Sequence, residues 1–217
     1  MSLERIYAEV LAVRIIANVD VALAEQFKLR PDQRSLAIFT STIDDVGYTA
    51  LDEATKRADV EVVYARSFYA GAAHSSGPLS GEMIGVIAGP SPDEVKSGMD
   101  AVRQTIESDA YFEAISEDKS HALYAHVVAR TGAYLANEAG VKQGEPLAYL
   151  IAPPLEAVYG LDAALKAADV KLMKFFGPPS ETNFGGALLT GSQSACQAAV
   201  DAFKEAILTI AKNPTQY

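Results

Sequence analysis

The sequence predicts an α+β fold built from two tandem copies of one module. The stretch from Asp52 to Val60 recurs, with substitutions, from Asp162 to Val170, an offset of 110 positions in a chain of 217 residues. In both copies the apolar and turn patterns give the order strand, helix, strand, helix, strand, strand, helix. This order indicates ferredoxin-like layers, with helices over a mainly antiparallel sheet. We therefore predict two domains, residues 1–110 and 111–217.

In the first copy, apolar runs rich in β-branched residues and helix-start signals define the elements. Asp20 is an N-cap candidate for a short helix, and Ser91, Pro92 and Glu94 form a capping-box pattern at the start of a long one. We predict strands at 9–19, 35–40, 60–69 and 82–88, and helices at 21–27, 44–58 and 93–108.

The second copy repeats these patterns after a polar, acidic linker at residues 107–120. Its apolar runs and small-residue helices follow the same order as in the first copy. We predict strands at 124–130, 146–152, 170–176 and 187–190, and helices at 133–139, 155–168 and 193–212.

Composition excludes several classes of function. The net charge is −10 and Lys and Arg form no cluster, which argues against a nucleic-acid partner. No apolar run approaches the ~18 residues of a membrane span, so we expect no lipid-membrane partner. The single cysteine excludes an intramolecular disulfide and fits a reducing cytoplasm. There is no Gly-rich phosphate loop, zinc-protease helix or nucleophile elbow, so we do not expect an enzyme.

The first copy contains a long insertion between its last two strands. The segment from Asp59 to Gly89 spans 30 positions, whereas the matching segment from Asp169 to Gly191 spans 22. The insertion is rich in Gly, Ser and Ala, which predicts a long, mobile loop. It is either a solvent loop that has drifted or a functional loop. Unstructured loops of this length are otherwise uncommon, which favours a function.

Three carboxylates stand where the second copy has none. Asp44 and Asp45 open a helix whose counterpart begins with Pro154 and Leu155, and Glu82 lies at the start of a strand beside the insertion. Carboxylates gathered at a small opening favour a small cation such as a protonated amine. The alternative is a helix cap and a solvated glutamate.

The three histidines are too scattered for a triad or a three-ligand metal site. His126 with Glu156 could bind an incidental divalent ion near the start of a helix in the second copy. The alternative for both residues is surface or core packing.

Four segments together resemble one protein family over essentially the whole chain. They are residues 66–74, 153–157, 178–183 and 189–193. They are similar to the tandem-domain shell proteins of ethanolamine-utilisation bacterial microcompartments. The resemblance implies two circularly permuted shell domains, a homotrimer that forms a pseudohexagonal tile with other shell proteins, and a location in the microcompartment shell of the cytoplasm. It implies a structural protein that requires no cofactor.

The resemblance also implies two kinds of opening. The central pore would be gated by the long loop, with candidate residues Phe68, Tyr69, Gly71, His74, Gly77 and Pro78. Smaller openings would bind ethanolamine, with candidate residues Asp44, Asp45, Glu82, Phe112, Thr182, Asn183 and Phe184. The alternative function is a soluble trimeric protein that senses a metabolite.

Overall fold

The computed structural model describes residues 3–68, 77–180 and 183–215. In chain order the elements are β1 (Glu4–Ile6), β2 (Val10–Ile16), α1 (Val21–Gln26), β3 (Ser35–Ser41), α2 (Asp44–Arg57), β4 (Glu61–Ser67), β5 (Met83–Gly89), α3 (Pro92–Gln104), β6 (Phe112–Ala114), β7 (Ala122–Val128), α4 (Ala133–Ala139), β8 (Leu147–Ala152), α5 (Pro154–Ala167), β9 (Val170–Phe176), β10 (Gly185–Gly191) and α6 (Gln193–Lys212). A π-helical turn, Thr105–Asp109, follows α3. The predicted α+β order is confirmed in both copies, and two short strands, β1 and β6, are added.

The chain forms two units, each of which takes segments from both sequence copies. The N-terminal unit contains Tyr7–Ala110 together with Gly132–Leu135. The C-terminal unit contains the chain up to Ile6, Tyr111–Thr131 and Ala136–Tyr217. Within the described ranges, none of the helices combines the length and the apolar character needed to cross a membrane.

The N-terminal unit is built on a four-stranded antiparallel sheet in the order β2-β3-β5-β4. Strands β3 and β5 are central and nearly all their residues are buried. Helices α2 and α3 bury an apolar stripe that includes Val46, Leu51, Val95 and Val102. This spacing at helical intervals is the pattern of a surface helix packed on a core.

The C-terminal unit carries a six-stranded sheet in the order β1-β6-β7-β8-β10-β9. Its main core contains Leu150, Leu161, Phe203 and Ile207, from β8, α5 and α6. Every residue of β8 is buried, so this strand reads as a continuous apolar run and shows no alternation. The core therefore forms where both helices cover one face of the sheet.

Strands β1 and β6 pair with each other, Glu4 opposite Ala114 and Ile6 opposite Phe112. The sequence pattern predicted a polar linker at β6, because only three residues form the strand and a glutamate lies at its centre. Phe112 and Ala114 are buried on either side of Glu113, which is the alternation of a short strand.

The helix-start signals are confirmed in part. The Ser91 hydroxyl accepts the backbone N–H of Glu94 at 3.2 Å, and Asp20 accepts that of Ala22 at 2.9 Å. The predicted capping-box role of the Glu94 side chain is wrong. Its carboxylate instead accepts the backbone N–H of Asp59 at 2.9 Å, which ties α3 to the turn before β4.

Asp52, at the centre of α2, holds residues of the second sequence copy inside the N-terminal unit. Its side chain is fully buried and accepts the backbone N–H groups of Gly132 at 2.7 Å and Leu135 at 2.8 Å. The Lys56 ammonium lies 3.5 Å from the same carboxylate. A Cβ atom at residue 132 would lie 2.3 Å from the Thr55 hydroxyl, so only glycine permits this approach.

Substituting Asp52 with alanine should destabilise the protein by about 2–4 kcal/mol, because two buried N–H groups would lose their acceptor. The matched control is Asp162→Ala, at the equivalent position of α5, where the carboxylate is exposed and pairs only with Lys166. That change should cost less than about 0.5 kcal/mol. Urea unfolding measures both, and equal losses would contradict the role given to Asp52.

Candidate ligand-binding site

The three predicted carboxylates lie at one corner of the N-terminal unit, which we call the acidic corner (Asp44, Asp45 and Glu82). It forms where β3 leads into α2 and where β5 begins beside the end of β4. The backbone N–H of Glu82 donates to Ser41 at 2.8 Å, and its carbonyl accepts the N–H of Phe68 at 2.9 Å. The end of β3 and the residue that follows β4 therefore fix the backbone that carries Glu82.

Gly81 allows the chain to enter β5 at this corner. Its φ is +61°, and a Cβ atom there would lie 2.1 Å from the carbonyl oxygen of Ser41. A side chain would both clash and strain the backbone. Glycine at this position is thus the local signal that places Glu82 against the end of β3.

The two aspartates occupy the first turn of α2, but neither is its N-cap residue. Ile43 takes that position and makes no side-chain cap, so the capping explanation weighed in the sequence analysis is wrong. Both aspartates are buried at 7% exposure, which is unusual for a carboxylate. The positive end of the helix dipole stabilises negative charge in this turn.

Asp44 and Glu82 act on each other electrostatically. Glu82 is half-buried, and its burial together with the nearby Asp44 charge raises the pKa of the Glu82 carboxyl to about 7. The backbone N–H of Asp44 donates to Glu82 and partly opposes this effect on the pKa. The corner can therefore gain one negative charge near neutral pH, which suits the capture of a cation.

Two polar neighbours of the corner were missed by the sequence analysis. The Ser67 hydroxyl donates to Asp44 Oδ2 at 2.6 Å, and the Tyr48 hydroxyl lies 2.6 Å from Ser67 Oγ. Tyr48 could have been found from its spacing, since it lies four residues after Asp44 on the same helix. Ser67 carried no such signal, because its pairing opposite Met83 depends on the register between β4 and β5.

The other predicted ethanolamine residues belong to the C-terminal unit. The rings of Phe112 and Phe184 meet edge to face with centroids 6.1 Å apart, and Phe112 also stacks on Tyr124 at 5.2 Å. Asn183 adopts a positive φ of 66° and donates its N–H to Ser180. Thr182 lies outside the described residues. The structure thus gathers the acidic residues in one unit and the aromatic residues in the other.

The predicted gate residues are described in part. Tyr69, Gly71 and His74 lie outside the described residues. Phe68 continues from β4 and is half-buried, whereas Gly77 and Pro78 are exposed in a turn closed by Ser80. The carbonyl of Leu79 in that turn accepts the Thr40 hydroxyl at 2.6 Å, so β3 anchors the segment that returns to β5.

The structure does not bring together the predicted metal pair, His126 and Glu156. Ala125 and Val127 pack on the core beneath α5, so the alternation of β7 places His126 on the opposite face of the sheet, stacked on Tyr124. Glu156 instead lies 2.9 Å from Nε2 of His121. Across residues 3–68, 77–180 and 183–215, no three His, Cys, Asp or Glu side chains are grouped to hold a metal ion.

Comparison with known proteins gives consistent matches along the chain. Residues 35–116 and 152–214 match the BMC domain. The chain is 58% identical over 214 residues to the bacterial microcompartment shell protein EutL of Clostridium perfringens, covering 99% of each protein. Identity with EutL of Escherichia coli is 53% over 215 residues, covering 99% of this chain and 98% of that protein. The crystal structure of the ethanolamine utilization protein EutL from Leptotrichia buccalis is similar over the full length of both chains, with a TM-score of 0.96 and 58% identity.

Replacing Glu82 with glutamine should stabilise the protein at pH 8 and leave its stability unchanged near pH 4.5. Folding raises the pKa of the Glu82 carboxyl. Its contribution to the free energy of unfolding is therefore complete only below the ordinary pKa of 4.5, and it is lost as the pH rises through about 7. Glutamine has no charge to lose, so the variant should gain about 1–2 kcal/mol at pH 8. Urea unfolding at both pH values measures this, with the exposed Glu107→Gln as control. An equal difference at both pH values would contradict the assignment.

Proposed function

The chain belongs to the BMC domain family of bacterial microcompartment shell proteins, and on that premise we propose that three copies close into a gated, amine-binding tile of an ethanolamine-utilisation shell. The family membership confirms the predicted resemblance and the pair of shell domains. The chain is accordingly a structural protein of the microcompartment shell and not an enzyme. This favours the tile over the soluble metabolite sensor. The role requires no cofactor, and its partners are further copies and other shell proteins.

The proposed ring rests on a contact that forms on α2 within the chain. The equivalent surfaces, on α5 and α1, are exposed in a single chain. In the N-terminal unit, Gly132–Leu135 cover the outer face of α2. Besides the Asp52 bonds, the N–H of Ala133 donates to the Thr55 hydroxyl at 3.0 Å, and Tyr134 stacks on Tyr48 with ring centroids 6.2 Å apart. A segment of the second copy is therefore seated on a helix of the first.

The equivalent helix of the second copy, α5, presents the same face uncovered in a single chain. Leu155 is 63% exposed, Val158 51% and Tyr159 55%, and Leu165 is also exposed. These residues lie on one side of the helix at helical spacing. A contiguous apolar face of this kind marks a site of protein–protein contact.

The equivalent segment of the first copy, at the start of α1, is also uncovered. Val21 is 73% exposed, Leu23 is exposed, and no residue of α1 is buried. Lys28 after α1 and Gly140 after α4 both have positive φ, which supports the structural equivalence of the two segments. We propose that α1 of one copy covers α5 of the next, so that the head-to-tail contact repeats until the ring closes.

Leu165→Glu should convert the trimer into monomers, because it puts an unpaired charge at the centre of the proposed contact. Val21 and Leu165 correspond to Ala133 and Thr55, which meet in the N-terminal unit. Val21→Lys added to Leu165→Glu should therefore restore the trimer. Sedimentation velocity measures the oligomeric state, and Ala198→Glu, at an exposed position of α6, is the control. A wild-type monomer, or an unaffected Leu165→Glu trimer, would reject the ring.

We propose that the acidic corner binds the ammonium group of ethanolamine. Its two buried aspartates and the half-buried Glu82 concentrate negative charge at one place. Charge-assisted hydrogen bonds from an ammonium to carboxylates are stronger than neutral ones, and a small amine fits between short side chains. Phe112, Thr182, Asn183 and Phe184 remain the other residues that the family resemblance predicts for ethanolamine.

The corner is also tied to both ends of the candidate gate. Ser67, which donates to Asp44, is the last residue of β4 before Phe68, and the carbonyl of Glu82 accepts the Phe68 N–H. At the other end, Thr40 holds Leu79. A ligand at the corner could thus shift the gate through its different affinity for the open and closed loops. Coupling of this kind is typically about 1–3 kcal/mol.

Glu82→Gln should weaken ethanolamine binding at pH 8 by at least about tenfold, because it removes one of the negative charges that pair with the ammonium. Asp45→Ala should weaken it as well. Isothermal titration calorimetry measures both, with Glu107→Gln as the charge-matched control. Circular dichroism and sedimentation confirm that the variants fold and assemble. Binding that is unchanged in both variants would reject the acidic corner as the amine site.

A further inference from the structure

Asp44 and Glu82, which act on each other electrostatically, have different hydrogen-bond partners. Oδ1 of Asp44 accepts the backbone N–H of Asp45 at 2.8 Å, and Oδ2 accepts the Ser67 hydroxyl at 2.6 Å. Both oxygens thus act as acceptors, at the positive end of α2. This arrangement favours the ionised form of Asp44, because a protonated carboxyl would have to use one oxygen as a donor.

The direction of the hydrogen bonds between Tyr48, Ser67 and Asp44 follows from the number of protons that each hydroxyl group can donate. Ser67 has one hydroxyl proton and gives it to Asp44, so the contact of 2.6 Å with Tyr48 requires the tyrosine to donate to Ser67. The Tyr48 ring is held from the other side by Tyr134, at an interplanar angle of 27°. Tyr48 and Ser67 thus form a directed relay that ends on Asp44.

Glu82 is the member of the pair that takes up a proton. The groups packed around it are Asp44 from α2 and the backbones of Ser41 and Phe68 from the adjoining strands. The acidic groups of α2 at this corner are Asp44 and Asp45, and burial together with the Asp44 charge raises the pKa of Glu82 to about 7. Two close carboxylates share a proton in this way, and the better-solvated or better-bonded one stays ionised.

We propose that Tyr48 and Ser67 are positioning residues that keep Asp44 ionised, so that Glu82 holds the exchangeable proton of the pair and releases it when an ammonium ion binds. The inference rests on the proposed amine site and adds how that site is regulated. The O–H bond of the Glu82 carboxyl breaks and its proton passes to the solvent buffer. The ammonium keeps its own protons and pairs with the new carboxylate. Below neutral pH, binding of the amine is therefore an exchange of the Glu82 proton for an ammonium ion.

The test is calorimetry of ethanolamine binding to the full chain in two buffers of different ionisation enthalpy. Wild type should release about one proton per amine at pH 6 and about none at pH 8.5, and its affinity should fall as the pH drops below 7. Ser67→Ala should release more than one proton at pH 5, since Asp44 would then be protonated too. Tyr48→Phe should give a smaller change in the same direction. Ser67→Thr should restore the wild-type value, and the exposed Ser108→Ala is the control.

The outcomes separate this inference from the proposed function. Binding without any dependence on buffer at pH 6 would overturn proton release while leaving the amine site intact. Proton release by Ser67→Ala equal to that of wild type at pH 5 would overturn the role of the relay. An absence of binding by wild type at every pH would reject the amine site itself, and the proton exchange with it.

Discussion

A buried carboxylate in α2 is the constraint on which the N-terminal unit depends. Asp52 exchanges its hydration for the backbone N–H groups of Gly132 and Leu135, and burial raises the pKa of its carboxyl even though both groups donate to it. A buried carboxylate stabilises the fold only while its hydrogen-bond donors stay in place. It therefore commits residues of the second sequence copy to the N-terminal unit. The same contact is the one that α5 and α1 leave unmade in an isolated chain, and the proposed ring rests on it.

The two sequence copies share the order of their helices and strands but differ in the residues at one equivalent corner. Where α2 opens with Asp44 and Asp45, α5 opens with Pro154 and Leu155, and where Glu82 precedes β5, Phe184 precedes β10. The same backbone corner is thus acidic in one copy and apolar in the other. In the proposed tile, identical modules could not make this distinction, because every corner would carry the same residues. The proposed ring of fused chains would place a charged site at alternate positions while its frame stays uniform.

The sequence predicted the elements that depend on local patterns. The prediction failed where residues distant in the chain determine whether an element or a contact forms. The bounds of α4, β9 and α6 agree with the predicted ones because each is a long or clearly bounded run of one period. Strands β1 and β6 were missed since each is three residues long and exists only through the other. The acidic residues were found from the mismatch between copies, but Ser67 needed the register of β4 against β5. His126 was paired with Glu156 on composition alone, and strand alternation placed His121 there instead.

The exchange of chain segments between the units has a consequence for synthesis. The N-terminal unit is incomplete without Gly132–Leu135, and the sheet of the C-terminal unit begins with the strand Glu4–Ile6. When only the first copy has left the ribosome, Asp52 lacks the two N–H groups that donate to it, and the strand Glu4–Ile6 lacks its partner strand. Neither half can reach its final state alone during translation. Both units therefore require residues of the second copy before their folds are complete.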